Sequence, residues 1–174
     1  MVIQSVQIQW PCRYDYFFAP APVPCPGTEA IYPTAAEQPF EHGRMIWLER
    51  IEGYFGTGRA LEQVIWVLYE DGQLEKYDDT WAPDELESDP ALVPPAGLYQ
   101  PVRGFGKLWR DNESVRERLG WALAPEQGFE SAWQKPIVEG VGQERLYYLR
   151  TLDNGVIEAS MPNGASGHWW SELP

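Results

Sequence analysis

The sequence is short of cations, histidine and cysteine, and each shortage removes a class of function. Thirteen Lys and Arg stand against 26 Asp and Glu in 174 residues, a formal charge of −13. Phosphate contacts need a basic face, so no nucleic-acid partner is expected. No apolar run approaches the roughly 18 residues of a membrane span, so none is expected. His42 and His168 are the only histidines, which leaves little acid–base chemistry near neutral pH. Gly and Pro, 16 of each, stay below the roughly 25–30% that marks disorder. With 44% hydrophobic residues the chain is globular. At this length it buries about 68–70% of its unfolded surface, enough for a core without metals.

Cys12 and Cys25 are the only cysteines. The twelve residues between them are aromatic and Pro-rich (Tyr14, Tyr16, Phe17, Phe18, Pro20, Pro22, Pro24), a run that cannot continue a helix. The expected reading is a Cys12–Cys25 disulfide that ties down this irregular segment, by roughly 3 kcal/mol in the chain-entropy picture. Two free buried thiols, or half of a metal site, are the alternatives. A bond implies an oxidising compartment. Met1–Gln7 lacks the charged and apolar regions of a signal peptide. That leaves a cytoplasmic chain or a module cut from a longer secreted protein, and the second is the expectation.

The acidity is concentrated. Residues 70–100 hold nine Asp and Glu against Lys76 alone. Such a run reads as a solvated loop. A calcium site built from Asp78, Asp79, Asp84 and their neighbours is a weaker alternative, because EF-hand spacing is missing. No cofactor is expected.

β-Branched and aromatic enrichment predicts strands at 44–50, 64–69 and 73–77, with Asp71-Gly72 as a hairpin turn. A second meander is predicted at 145–150, 156–159 and 168–170, turned by Asp153-Asn154-Gly155 and Asn163-Gly164. The glycine-bearing stretch Glu52–Arg59 reads as a surface loop. A helix is predicted over 113–119, capped by Asp111 or Asn112 and stopped by Gly120. Thr34-Ala35-Ala36-Glu37 has capping-box spacing and predicts a short helical turn. Pro90, Pro94 and Pro95 mark 83–97 as an extended, solvated linker. The expected fold is mainly β: two short antiparallel meander modules, residues 1–97 and 98–174, packed as in a propeller or sandwich, with one or two short helices.

The two halves carry related segments. Gln38-Pro39-Phe40-Glu41-His42-Gly43 precedes the first meander and Gln134-Lys135-Pro136-Ile137-Val138-Glu139-Gly140 the second. Gly106-Lys107-Leu108-Trp109 leads to Leu119-Gly120-Trp121-Ala122 and then Pro125-Glu126. This order resembles the LGFP repeats of secreted bacterial cell-envelope proteins, best over residues 104–150, with a half-copy at 35–48. Trp121 and Ala122 depart from the family's Phe-Pro. The resemblance implies an all-β module at the cell envelope that associates with wall or glycan and is not a catalyst.

Candidate chemistry is thin. Gly164-Ala165-Ser166-Gly167-His168 falls short of a Gly-x-Ser-x-Gly elbow and sits in a predicted turn. His42 lacks a third ligand beside Glu41 or Glu37. With 26 acids, no one glycosidase-like pair can be nominated. Aromatics are plentiful: nine Trp, nine Tyr and six Phe. Trp47, Trp66 and Tyr148 sit mid-strand and are expected in the core. Trp81, Trp109, Trp133, Trp169 and Trp170 lie in polar or alternating contexts and are the candidate ligand-binding residues. Arg103, Arg110, Arg116 and Arg118 form a basic stripe that could meet an acidic polymer or the chain's own acidic segment. The expected function is a non-catalytic extracellular module that binds envelope polysaccharide. A protein–protein or self-association module is the alternative, with another extracellular protein as partner.

Overall fold

A computed structural model describes residues 11–49, 63–137, 146–162 and 164–173. Met1–Gln7, the Glu52–Arg59 loop, Val138–Gly140, Arg145 and Asn163 lie outside the described residues.

The strands are β1 (Thr34–Phe40), β2 (Gly43–Leu48), β3 (Val64–Tyr69), β4 (Gln73–Asp78), β5 (Gln127–Glu130), β6 (Trp133–Gln134), β7 (Leu146–Arg150), β8 (Val156–Ser160) and β9 (Ser166–Leu173). Two helices, α1 (Arg103–Asp111) and α2 (Glu113–Leu119), separate β4 from β5. The fold is mainly β, and both expected meanders are present. They join through β4 and β9 into one antiparallel sheet of order β5-β1-β2-β3-β4-β9-β8-β7-β6. That sheet is curled as a half barrel, in place of a propeller or sandwich.

The two ends of this order are consecutive in the chain, joined only by Ser131 and Ala132. The segment carrying β5 and β6 hydrogen-bonds on both sides. Ser131 N donates to Pro33 O (3.0 Å) and Trp133 N to Ile31 O (2.8 Å), while Arg150 N donates to Ala132 O (2.9 Å). Segment 127–137 is therefore the seam at which the curl meets itself. The boundary expected near residue 98 falls between β4 and α1, and elements from its two sides join one sheet and contribute to the same apolar clusters.

Alternation along each strand makes two apolar clusters. The inner one holds Trp66, Trp133 and Tyr147 with Ile46, Leu48, Leu74 and Leu149. The outer one lies between the back of β1–β4 and the helices, with Met45, Ile65, Val67, Phe105, Trp109, Val115 and Leu119. β3 faces both, so all six of its residues are buried. That double burial explains its unbroken apolar run, Val-Ile-Trp-Val-Leu-Tyr.

Helix α2 matches its expected limits. Asn112 Oδ1 accepts from Val115 N at 3.3 Å, Val115 and Leu119 are buried, and Gly120 ends the helix at φ 72°. The helical turn expected at Thr34 is instead the start of β1, which pairs with both β2 and β5. Ladder partners on both sides outweigh a local capping pattern that would leave Ala35 and Glu37 outside the curl.

Residues 83–97 are solvated as expected, but they run through turns in place of an extended linker. They are strapped to the basic stripe: Lys107 Nζ reaches Glu85 at 3.0 Å, Arg103 Nε reaches Glu87 at 3.2 Å, and Arg110 donates to the carbonyls of Leu86 and Glu87. Arg118 pairs with Glu75 at 3.1 Å. The basic stripe thus meets the chain's own acids.

The Cys12–Cys25 disulfide is formed, with Cα atoms 5.5 Å apart. Its loop lays Tyr16 and Phe18 on Tyr148, at ring separations of 5.5 and 5.1 Å. No helix among the described residues is long and apolar enough to cross a membrane.

Candidate functional site

The candidate site lies on the outer face, where the exposed end of the sheet meets the start of α1. Ala36 and Trp47 are cross-strand partners on β1 and β2 and form its floor. Asp79 follows β4 directly, because Asp79 N donates to Gln63 O (2.7 Å) and extends the β3–β4 ladder by one pair. Asp79 then turns the chain so that Trp81 folds back over the cavity. Arg103, Gly104 and Phe105 come from the first turn of α1, and Glu126 comes from the approach to β5. Together these residues line a cavity of about 290 Å³. That is near the lower end of the ~300–1,000 Å³ of small-molecule sites.

Asp79 organises the cavity. Its Oδ2 accepts from Trp47 Nε1 at 2.9 Å and its Oδ1 from Trp81 N at 3.0 Å. The carboxylate rests on Gly104, where a Cβ would stand 2.6 Å from Oδ1. Only glycine admits this approach, and the first turn of a helix favours a carboxylate there. No Lys, Arg or His among the described residues pairs with Asp79. The indole N–H of Trp81 is buried and has no partner among the described residues.

Arg103 opens α1 at φ 51°, a left-handed conformation rare for a side-chain-bearing residue. Three contacts hold it there: Arg103 N to Glu87 O (2.9 Å), Nε to Glu87 Oε1 (3.2 Å) and Nη1 to Glu126 Oε1 (3.3 Å).

Burial pushes the Glu126 carboxyl above the usual carboxylate range. Arg103 opposes the shift, and the charges of Glu87 and Asp79 add to it. A raised carboxyl binds its proton more tightly folded than unfolded. Its contribution is therefore most favourable below the ordinary glutamate value and is lost as pH rises through the folded one. Accordingly, Glu126→Gln is expected to raise the melting temperature more at pH 7 than at pH 4. Thermal melts of both proteins across that range check this, and an equal shift at both ends would contradict it.

The aromatic candidates divide. Trp81 is half-buried and lines the cavity. Trp109 and Trp133 are excluded from any surface, at 1% and 0% exposure. Trp109 is sealed beneath the helices, donating to Gly120 O at 2.8 Å with Trp121 4.9 Å away. Trp133 stands inside the curl, 5.2 Å from Tyr147. Polar neighbours in sequence misled here, because the seam buries Ser131 and Gln134 as well. Trp169 is half-buried against the inner cluster and donates to Tyr69 O at 2.9 Å. It borders a more polar hollow of about 300 Å³ with Arg44, Asp153 and Asn154. Trp170 lies on the other face of β9, opposite Glu158 and 41% exposed. The five therefore do not form one surface.

Trp47 was expected in the core but is only half-buried, and it lines the cavity. Sequence reasoning also missed Gln63, Phe105 and Glu126 as site residues, and placed Arg103 only in the basic stripe. Asp79 was noted only as a weak calcium ligand. Asp78 and Asp84 are exposed, and no three His, Cys, Asp or Glu among the described residues come together as a cation site. His42 is exposed in the β1–β2 turn, with Nδ1 3.2 Å from Glu70. Ser166 and His168 lie on β9, so no nucleophile elbow forms. No family model, curated protein or solved structure matches the chain.

Proposed function

We propose that this protein is a non-catalytic extracellular module that binds a saccharide of the cell envelope in the cavity between β1–β2 and α1. The observation that carries this reading is one hollow bordered by two indoles, Trp47 and Trp81, and rimmed by the planar polar groups of Asp79, Gln63, Arg103 and Glu126. Indole faces suit the apolar C–H faces of a sugar ring, and carboxylate, amide and guanidinium groups suit its hydroxyls. The disulfide fits an oxidising compartment, which is where such a polymer is found. The LGFP-like order of residues 104–150 belongs to the same reading; Leu119, Trp121 and Ala122 of its tetrapeptide pack in the outer cluster.

Calorimetric titration with soluble envelope oligosaccharides tests the proposal. Wild type is expected to bind at least one of them. Trp81→Ala is expected to weaken binding at least about tenfold, or about 1.4 kcal/mol, while Trp170→Ala leaves it unchanged. Binding that survives Trp81→Ala and disappears in Trp170→Ala would move the site away from the cavity to β9 and sink the proposal.

A further inference from the structure

We infer that the saccharide taken by this cavity carries a free primary ammonium, as an amino sugar without its N-acyl group does, and that Asp79 receives it between Trp47 and Trp81. The inference rests on the saccharide reading above and narrows it to one chemical class.

Charge at the cavity is unbalanced. Among the described residues Asp79 receives only uncharged donors, the Trp47 indole N–H and the Trp81 backbone N–H. The one cation among the described residues that lines the cavity, Arg103, is already shared between Glu87 and Glu126. Carboxylates therefore outnumber guanidinium, and Asp79 is the one left without a countercharge among the described residues. Ionised groups seldom sit half-buried without a partner, and a ligand ammonium would supply it.

The surroundings favour the same group. Trp47, Trp81 and Phe105 all border the hollow, and an ammonium within about 6 Å of an aromatic face is attracted to the ring quadrupole. A uronate or phosphate polymer would meet the same carboxylates and be repelled, on a chain that already carries −13. A neutral N-acylated sugar would meet no repulsion but would leave Asp79 unpaired. Gln63 and Arg103 add hydroxyl partners that a bare lysine side chain would not use.

The test titrates the full chain with four probes: a glucosamine tetrasaccharide, its fully N-acetylated counterpart, a tetragalacturonate and tetralysine. The glucosamine probe is expected to bind at least about tenfold more tightly than the N-acetylated one, and that margin is expected to shrink at high salt. Tetragalacturonate and tetralysine are expected not to bind measurably. Asp79→Asn is expected to bring the two sugar probes within about twofold of each other, with a circular-dichroism melt confirming the fold. If that variant unfolds, the salt dependence of wild type carries the test. Equal or tighter binding of the N-acetylated probe would overturn the ammonium inference and leave the saccharide reading standing. Tetralysine binding as tightly as the glucosamine probe would also overturn it, because the cavity would then read ammonium without sugar. Should no sugar bind, both readings fall.

Discussion

Trp133→Ala is expected to cost about 3–5 kcal/mol of folding stability, a large part of the roughly 5–15 kcal/mol that holds a domain together. The side chain has no exposure and packs on Tyr147 within the inner cluster. Its backbone exchanges two hydrogen bonds with Ile31 (2.8 and 3.0 Å) and pairs across β6–β7 with Leu149. Truncation would open a void where the curl meets itself, and a two-residue strand has few other contacts to keep the seam shut. Urea titration followed by tryptophan fluorescence measures the loss. A destabilisation below about 1 kcal/mol would mean the seam is not closed by this residue. Because Trp133 is remote from the cavity, affinity measured well below the unfolding transition is expected to match wild type.

The double substitution Cys12→Ser with Cys25→Ser is expected to cost about 3 kcal/mol, the chain-entropy value for a loop of this size. More than entropy is involved. The loop places Tyr16 and Phe18 over Tyr148, leaving that residue 3% exposed. Buried Gln134 ties the loop down, with Nε2 donating to Asp15 O and to Thr28 O, both at 2.9 Å, and Oε1 accepting from Phe17 N at 3.3 Å. Without the cross-link those contacts must hold an irregular segment alone. The expected results are a lower melting temperature and rapid proteolytic cleavage within residues 12–25. An unchanged melt and an uncut loop would show that Gln134 and the aromatic rings suffice.

Where local and global signals agree, the sequence is a good guide. β3 and β4 lie where their β-branched and aromatic residues put them, and Asp71 accepts from Gln73 N in the turn between them, at 2.9 Å. Asn112 and Gly120 mark the limits of α2 because capping chemistry is local. β1 was hidden because Pro33 precedes it, Pro39 lies within it and Thr34 mimics a cap. Its strand character comes from partners on both sides: β2 follows across the Glu41-His42 turn, but β5 is far away in sequence. Helix α1 was hidden by its Arg-Gly-Phe-Gly start, poor in helix formers. Those glycines answer to close tertiary contacts, Gly104 to Asp79 and Gly106 to the Pro101 carbonyl.

The cavity was harder still to foresee. Its residues come from six separated stretches, and only the shared sheet brings Glu126 to within reach of Arg103 and Asp79. Trp81 could be suspected because it follows two aspartates in a stretch with no strand pattern. Trp47 could not, because mid-strand aromatics face the core or the solvent with equal ease, and only the helix packing beyond decides which.

The most direct test of the binding account is a nitrogen–proton correlation spectrum of the nine indole N–H groups during titration with the glucosamine tetrasaccharide. The expected result is that the Trp81 resonance moves most and Trp47 next, while Trp66, Trp109 and Trp133 hold still. Movement confined to Trp169 or Trp170, or an unchanged spectrum at saturating sugar, would contradict it.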